Sequence, residues 1–352
     1  MKIYVWRQPN RITLRFKLQQ MSKFLCFLVA VMFLTESCIN GKNNDGIWQN
    51  DHIDAGVRST MAAMNKQVYD CIGNNDYPHL SQLFSDSLKT YINGDFEATF
   101  LPRMQKMLHG RPYRILGEFY IKTSKKDSVS SIVSGKGDDA FTFKILTPGR
   151  ESYVSLLIAG DSANEVMLTL VYSNVKGAWK VSMIRGEDYS ITQKNAIELY
   201  NKAIALRNSG DMIDAVNTMN VAIHCLRPAG IYLQYKLDAK MHSFNDSLIT
   251  EVKAKYPLPY KMNAMQTGPQ LFNIHYELFK GELTPMIMYQ TSVSVRDSVA
   301  LKIENDDLHK NIPVAFPGMN KNNKYIIYRA YNEIPEGKSD PRYYGFVLKN
   351  EP

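Results

Sequence analysis

The sequence lacks the local motifs by which many enzyme classes are recognised. It contains four cysteines in 352 residues, too few for a disulfide scaffold. No phosphate-binding glycine loop, zinc-protease helix, nucleophile elbow or CxxC pair occurs. The seven histidines are scattered and include no i, i+4 pair, which argues against a local zinc site. We therefore predict no catalytic residue, no metal ligand and no cofactor.

The positive charge of the chain is concentrated at its beginning. The formal net charge is +8, and residues 1–38 account for +5 of it because they hold six basic residues and one acidic residue. The remainder is nearly balanced and has no dense basic stripe with interleaved aromatic residues, the footprint of nucleic-acid binding. We predict no nucleic-acid partner.

Length and composition indicate a folded protein of several parts. Apolar residues make up 45% and charged residues 22%, proportions that exclude wholesale disorder. At about 100–200 residues per domain, the length predicts two or three domains.

The segment that begins at Met21 has the pattern of an export signal. Lys23 supplies a short positive start, and an unbroken run of eleven apolar residues follows over 24–34. This length matches a secretory apolar region of about 7–15 residues and falls short of the ~20 needed to span a bilayer. We predict a leader over 1–37, with translation starting at Met21 and a signal peptide over 21–37.

The end of this segment, with Leu34, Ser37 and Cys38, resembles a bacterial lipoprotein signal. In that family the cysteine is lipidated on its thiol and becomes the mature N-terminus. The resemblance implies lipidation at Cys38 and a location in the cell envelope, anchored to a membrane that faces the periplasm or the outside. Residues 38–51, rich in Asn and Gly, are predicted to form a flexible tether. A plain cleavable signal peptide is the alternative.

Residues 52–190 show helical patterns first and strand patterns afterwards. Helical stripes of apolar residues run over 57–71 and 80–88, and a short helix is predicted from Pro102 to Gly110. Short strand patterns separated by turn clusters then fill 113–185. This order predicts an α+β fold in which N-terminal helices pack on one face of a curved antiparallel sheet.

This order, with a closing strand G-x-W-K-V from Gly177 to Val181, resembles the nuclear transport factor 2-like superfamily of cone-shaped domains. The resemblance implies a pocket between the helices and the sheet, which holds a catalytic Asp/His pair in some members. No such pair is recognisable here. His109 and Tyr113 flank the entry to the sheet and are the predicted ligand-binding residues. A solvated loop histidine and a packed tyrosine are the structural alternative.

Residues 191–256 predict a helical hairpin followed by a capping helix. The hairpin resembles one tetratricopeptide repeat through its large, small and glycine positions Leu199, Ala203, Leu206, Gly210, Ala215 and Ala222. The resemblance implies two closely packed antiparallel helices. A single repeat serves either as a partner-binding groove or as a spacer buried against its neighbours.

Residues 257–352 predict a small β-rich domain that begins at a linker with Pro257 and Pro259. Apolar and polar residues alternate over 272–278, and 286–295, 299–304, 325–331 and 343–349 are further predicted strands. Eight of the 21 tyrosines lie in this segment. They form either a surface that binds carbohydrate or protein, or the outer face of an ordinary sheet.

Together these patterns predict a membrane-anchored envelope lipoprotein that binds a protein partner, a glycan or another small ligand without catalysis. One alternative is an enzyme whose active site lies in the pocket of residues 52–190. Another is a structural spacer that presents the C-terminal domain. Cys71 and Cys225, the cysteines beyond the leader and the anchor, either pair or lie buried separately.

Overall fold

Helices and mostly antiparallel strands share the chain, which confirms the predicted α+β class with a curved antiparallel sheet. The computed structural model describes residues 45–92, 94–125, 127–147, 149–337 and 341–350. The predicted leader and Cys38 lie outside the described residues.

Helices occur in three groups along the chain: before the main sheet, after it, and within the C-terminal part. They are α1 (Ala55–Gly73), α2 (Tyr77–Gln82), α3 (Asp86–Tyr91), α4 (Leu101–Leu108), α5 (Ala196–Asn208), α6 (Met212–His224), α7 (Asp238–Lys255), α8 (Ser298–Ala315) and α9 (Met319–Asn322).

Strands form three sheets. They are β1 (Gly46–Gln49), β2 (Tyr113–Lys122), β3 (Ser128–Ser134), β4 (Phe141–Thr147), β5 (Glu151–Gly160), β6 (Asn164–Val175), β7 (Ala178–Ile191), β8 (Lys194–Asn195), β9 (Leu233–Tyr235), β10 (Tyr260–Lys261), β11 (Gln270–Phe279), β12 (Glu282–Gln290), β13 (Tyr325–Tyr331) and β14 (Tyr343–Lys349).

The main sheet, in the order β1-β2-β5-β6-β7-β8, is buried on both faces. Successive side chains of a strand point to opposite faces. Along β5, Tyr153 and Leu157 join the core beneath α1–α4, whereas Val154 and Leu156 join the core on the other side. The N-terminal helices therefore cover one face as predicted. The other face is covered by α5–α7 and by the three-stranded sheet β3-β4-β9.

Two predicted N-terminal elements differ in the structure. The stripe over 80–88 is divided between α2 and α3, because the Ser85 side chain caps α3 and the Ser85 N–H donates to the Val181 carbonyl (2.8 Å). Residues 46–49, assigned above to the flexible tether, form β1 instead. They pair with β2, and the Trp48 ring packs on Tyr120 with a centroid distance of 5.5 Å.

Strands β3 and β4 leave the main sheet rather than continuing it. They form a hairpin whose β4 pairs with β9, so the small sheet has the order β3-β4-β9. Its inner face buries Ile132, Phe143 and Ile145 in the core shared with α5–α7. The small sheet thus joins residues from before and after the helical hairpin.

The C-terminal part places α8 beside a sheet in the order β10-β11-β12-β13-β14. The strand predicted over 299–304 is wrong, because these residues begin α8. The Asp297 side chain caps this helix, and its buried stripe follows Leu301, Leu308 and Ile312 at helical spacing. Half of the eight tyrosines in this part are buried and belong to the core rather than to a surface: Tyr276, Tyr289, Tyr328 and Tyr331.

Within the described part of the chain, none of the helices combines the length and apolar character that crossing a membrane requires.

Candidate functional site

A polar groove lies at one end of the C-terminal sheet, and the strand register creates it. Lys261 of β10 is paired with Gln270 of β11, which is paired in turn with Gln290 of β12. Directly paired residues project from the same face, so three polar side chains form a row across three strands. The groove around this row has a volume of about 580 Å³.

The loop between β10 and β11 forms one wall of the groove. Backbone hydrogen bonds give the loop a fixed shape, with the Met262 N–H donating to the Pro269 carbonyl and the Gly268 N–H to the Met265 carbonyl. Asn263, Gln266 and Thr267 line the groove from this loop. The wall is therefore an ordered turn structure that presents amide and hydroxyl groups.

The opposite wall is fixed by the amide of Asn332. Its Nδ2 donates to the carbonyls of Thr291 (3.0 Å) and Val293 (2.7 Å), and its Oδ1 accepts from the Val295 N–H (3.0 Å). Gln290 Nε2 donates to the Asn332 carbonyl at 3.2 Å. Asn332 thus holds this wall in place. The side-chain oxygen Oε1 of Gln290 accepts no hydrogen bond from a described residue.

The floor of the groove connects to a buried carboxylate on α8. The Thr291 hydroxyl donates to Glu304 Oε1 at 2.9 Å and accepts from the Val293 N–H at 3.0 Å. Glu304 is buried, and its Oε2 has no hydrogen-bond partner among the described residues. Burial, followed by the charge of Glu304, raises the pKa of the nearby Tyr289 hydroxyl. Thr291 is therefore held firmly in place by the helix behind it.

Five lining side chains remain uncommitted: Asn263, Gln266, Thr267, Gln270 and Ser292 make no side-chain hydrogen bond with any described residue. Amides and hydroxyls offer both donors and acceptors without charge. Lys261 supplies the only ionisable side chain of the lining, which contains no carboxylate, imidazole or thiol. The groove is thus equipped to hydrogen-bond a polar ligand but holds no evident general base.

The predicted ligand-binding residues His109 and Tyr113 do not line this groove and lie near the C-terminal end of α1. His109 is exposed, and its Nδ1 lies 2.8 Å from the carbonyl of Gly73, the last residue of α1. The Tyr113 ring packs on Tyr69 with a centroid distance of 4.8 Å. Tyr69 donates in turn to the Arg111 carbonyl at 3.0 Å. These contacts tie α1 to the start of β2, and ligand binding at His109 and Tyr113 remains a prediction.

Between α1 and the main sheet lies a buried polar cluster centred on Glu118. Arg58 Nε of α1 donates to Glu118 Oε2 at 2.9 Å, and the Glu118 N–H donates to Asn50 Oδ1 at 3.0 Å. Ser155 lies opposite Glu118 in the sheet. Glu118 is only 1% exposed, so Arg58 neutralises a charge that is almost fully removed from water.

Several polar atoms of this cluster lack a hydrogen-bond partner among the described residues. They are Glu118 Oε1, Tyr153 OH, Ser155 Oγ and Asn65 Nδ2. Burial, followed by the charge of Glu118, raises the pKa of Tyr153. All four residues are buried, and the side chains of α1–α4 pack tightly over them. The space between α1–α4 and the main sheet holds convergent polar groups, but they are enclosed by the surrounding side chains.

An acid–imidazole pair links the main sheet to the helical hairpin. His224 Nε2 at the end of α6 lies 2.7 Å from Asp188 Oδ2 of β7, and Arg103 of α4 lies 3.6 Å from the other carboxylate oxygen. The contact with His224 lowers the pKa of Asp188, and the same contact raises the pKa of His224. Together with Arg103, this pair joins the N-terminal helices, the main sheet and the helical hairpin.

A buried carboxylate on α6 joins the helical hairpin to the C-terminal part. Asp214 of α6 accepts hydrogen bonds from the Tyr276 hydroxyl (3.1 Å) and the amides of Asn322 (3.1 Å) and Asn323 (3.0 Å). Burial raises its pKa, although these donors partly oppose the shift. Gly318 leads into the asparagine segment with φ of 91°, and a Cβ there would meet the Asp211 carboxylate. Only glycine fits this close approach.

The cysteines and the acidic residues provide no metal centre in the described ranges. Cys71 and Cys225 are free, buried thiols in separate hydrophobic clusters. No group of three or more His, Cys, Asp or Glu side chains that could hold a metal ion occurs among the residues described.

Comparison with known proteins gives no relative: the sequence matches no protein-family model and no curated protein.

Proposed function

We propose that this chain is a lipid-anchored protein of the bacterial envelope that binds a polyhydroxylated ligand, such as a glycan, in the groove of its C-terminal sheet without converting it. In this proposal residues 52–190 form a nuclear transport factor 2-like cone, 191–256 a tetratricopeptide-like hairpin and 257–352 the ligand-binding domain. The anchor is a lipid on Cys38.

The observation that carries the binding proposal is the row of Lys261, Gln270 and Gln290 beside uncommitted amides and hydroxyls. Sugar hydroxyls both donate and accept, as these groups do, and planar amides engage two ligand atoms at once. A volume of about 580 Å³ falls within the ~300–1,000 Å³ usual for small-ligand sites. The single cation, Lys261, also favours ligands that carry a carboxylate or phosphate.

A titration of the purified chain with N-acetylglucosamine oligomers and soluble peptidoglycan fragments tests this proposal. Asn263→Ala and Gln270→Ala should each weaken binding at least about tenfold, because each removes ligand hydrogen bonds worth ~1.4 kcal/mol or more. Both side chains are free of internal hydrogen bonds, so the thermal midpoint should not change. Gln234→Ala, an exposed amide on β9, is the matched control. Equal affinity in all variants, or no binding by any of these glycans, would contradict the proposal.

A second candidate function is catalysis in the cone. It is favoured by the convergence of Glu118, Tyr153 and Ser155, whose unpartnered atoms include a carboxylate oxygen and two hydroxyls. Substrate must then pass Arg58 to reach them. Chemical change in the same glycans, detected by mass spectrometry and abolished by Glu118→Gln but not by Gln270→Ala, would favour this candidate over simple binding.

The anchor is tested separately. Intact-mass measurement of protein made in a bacterial host should show an acyl adduct that Cys38→Ala removes. Detergent should be needed to release the parent protein but not the variant.

A further inference from the structure

The outer face of the β3–β4 hairpin carries exposed apolar residues where a solvated strand is normally polar. This face, called here the β3–β4 face, consists of Val129, Ser131 and Val133 of β3 with Thr142, Lys144 and Leu146 of β4. Val129 is 72% exposed, Val133 68% and Leu146 53%. Antiparallel sheets usually alternate apolar residues inward and polar residues outward. Here the inward residues Ile132 and Ile145 are also apolar, so the hairpin carries large apolar side chains on both faces.

The register joins these residues into one patch. Val129 is paired directly with Leu146, and Ser131 with Lys144. Val133 lies two residues beyond Ser131 and therefore on the same side. The face thus carries Val129 and Leu146 at one end and Val133 at the other, with the Ser131–Lys144 pair between them.

The described chain begins beside this patch. The Ser124 hydroxyl donates to Asp45 Oδ2 at 2.7 Å, which fixes the first described residue to the turn between β2 and β3. At the other end of β3, Gln49 Nε2 donates to the Val133 carbonyl at 3.3 Å. Strand β1 and its preceding residue therefore run along β3.

The length of chain between Asp45 and Cys38 limits how far the patch lies from an anchor. Seven residues span at most ~25 Å when fully extended. Strand β3, with seven residues, is ~23 Å long. A lipid at Cys38 therefore holds this edge of the protein within about its own length of the bilayer surface.

The described charges around the patch balance one another. Lys125 in the turn before β3 and Lys144 on the face are both exposed, and neither forms an ion pair with a described residue. The exposed Asp45, bonded to Ser124, and the exposed Asp127 are the nearby carboxylates. These charges give the patch no net repulsion from a membrane surface, and its aliphatic side chains suit the boundary between headgroups and acyl chains.

We propose that the β3–β4 face docks on the bilayer that carries the Cys38 anchor, so that the protein lies on the membrane in a fixed orientation. This inference rests on the lipid anchor of the proposed function. The lipid alone would hold the chain at the surface. The face adds orientation, because it brings one defined side of the molecule into contact with lipid.

The test uses the chain from Cys38 onward, coupled through that thiol to a maleimide phospholipid in vesicles of phosphatidylethanolamine and phosphatidylglycerol. Cys71 and Cys225 are buried, so coupling is directed to Cys38. Chemical coupling makes the test independent of whether a cell acylates the chain. Tryptophan is introduced by Val129→Trp, by Val133→Trp or, as the control, by Ile303→Trp on α8, which is also 68% exposed. Lipids brominated on their acyl chains then quench any tryptophan that enters the membrane.

Quenching should be at least about twofold stronger for Val129→Trp and Val133→Trp than for Ile303→Trp, because only the β3–β4 face enters the lipid boundary. In the Val133→Trp background, adding Val129→Asp and Leu146→Asp should lower quenching to the control level. Equal quenching at positions 129, 133 and 303 overturns the proposal. A dimer in sedimentation that Val129→Asp dissociates, with no difference in quenching, also overturns it and assigns the face to a second copy. An absent acyl adduct on cell-made protein would count against the anchor and would leave the quenching result intact.

Discussion

Arg58 Nε lies 2.9 Å from Glu118 Oε2 and joins α1 to a carboxylate buried between this helix and the main sheet. Arg58 is 40% exposed, whereas Glu118 has almost no contact with water. The hydrogen bond to Glu118 is the largest reason that the pKa of Arg58 is raised. The guanidinium therefore remains charged and compensates the buried anion throughout the physiological range.

Removal of this guanidinium should destabilise the fold far more than removal of an ordinary surface cation. Arg58→Ala leaves Glu118 buried without a counter-charge, a situation that is strongly unfavourable. Lys66→Ala is the matched control, because Lys66 lies on the same helix and pairs only with the exposed Asp70. We expect a clearly lower urea midpoint for Arg58→Ala than for Lys66→Ala. Adding Glu118→Gln to Arg58→Ala should recover part of the loss, and equal midpoints for the two single variants would contradict this account.

The pair of Asp188 and His224 should produce a pH-dependent contribution to stability. The pKa of Asp188 is lowered by His224, so its contribution is present above the ordinary Asp value of ~3.9 and is lost as pH falls through the lowered pKa. The pKa of His224 is raised by Asp188, so its contribution is present below ~6.5 and is lost as pH rises through the raised pKa. The pair therefore stabilises the fold most between about pH 4 and 6.5.

Urea unfolding of the parent protein and of His224→Asn across pH 4–9 measures this contribution. The stability difference should be largest near pH 5–6 and should shrink as pH rises through the raised pKa of His224. His242→Asn is the control, since His242 is 3.9 Å from the nearest carboxylate oxygen, too far for a hydrogen bond. A difference that stays constant over the whole range would show that the imidazole charge contributes nothing.

Asp214→Ala should loosen the contact between the helical hairpin and the C-terminal part. The substitution leaves the buried Tyr276 hydroxyl without its acceptor, whereas Asn322 keeps Asp211 and Asn323 keeps the Met319 carbonyl as acceptors. An unpaired buried donor costs about 1–3 kcal/mol, so we expect a loss in that range in the free energy of unfolding. Asp246→Ala, an exposed aspartate on α7, should change stability by less than about 0.5 kcal/mol. Similar losses in both variants would contradict a bridging role for Asp214.

The two buried thiols should be chemically silent in the folded protein. Burial raises the pKa of Cys225 to about 12 and also raises the pKa of Cys71. The thiolate is the reactive form, and at pH 8 very little of it is present at either site. In unacylated chain beginning at Cys38, a thiol reagent should titrate one group under native conditions and three after denaturation. Three rapidly reacting thiols in the native protein would disagree with the burial described here.

Sequence patterns predicted those helices and strands in which the apolar residues recur regularly because one face is buried in the core. The helical stripe over 57–71 lies within α1, and the strands over 325–331 and 343–349 have the predicted bounds. The pattern misled at the start of α8, where Val299, Leu301 and Ile303 alternate as in a strand. Val299 and Ile303 are both exposed, so their apolar character did not report burial. The pairing of β4 with β9 was beyond prediction, because it depends on contacts between residues about ninety positions apart.

The candidate groove had no local signal in the sequence. Its residues come from the loop after β10, the end of β12 and Asn332, and only the strand register brings them together. Alternation of apolar and polar residues did indicate a half-buried strand over 272–278. Gln270, the residue of this strand that lines the groove, lies just before that pattern. An isolated glutamine or asparagine has no characteristic spacing. The row of polar side chains is recognisable only once the strand register aligns Lys261, Gln270 and Gln290.

The three residues of β9 complete a sheet that was begun about a hundred positions earlier. Until Leu233 has been synthesised and β9 has paired, one edge of β4 stays open and able to pair with another chain. A fragment cut near residue 190 would retain this open edge and would also expose the sheet face that α5–α7 cover, so it should aggregate. The main sheet, the small sheet and α5–α7 therefore fold as one unit. None of these parts is expected to fold alone.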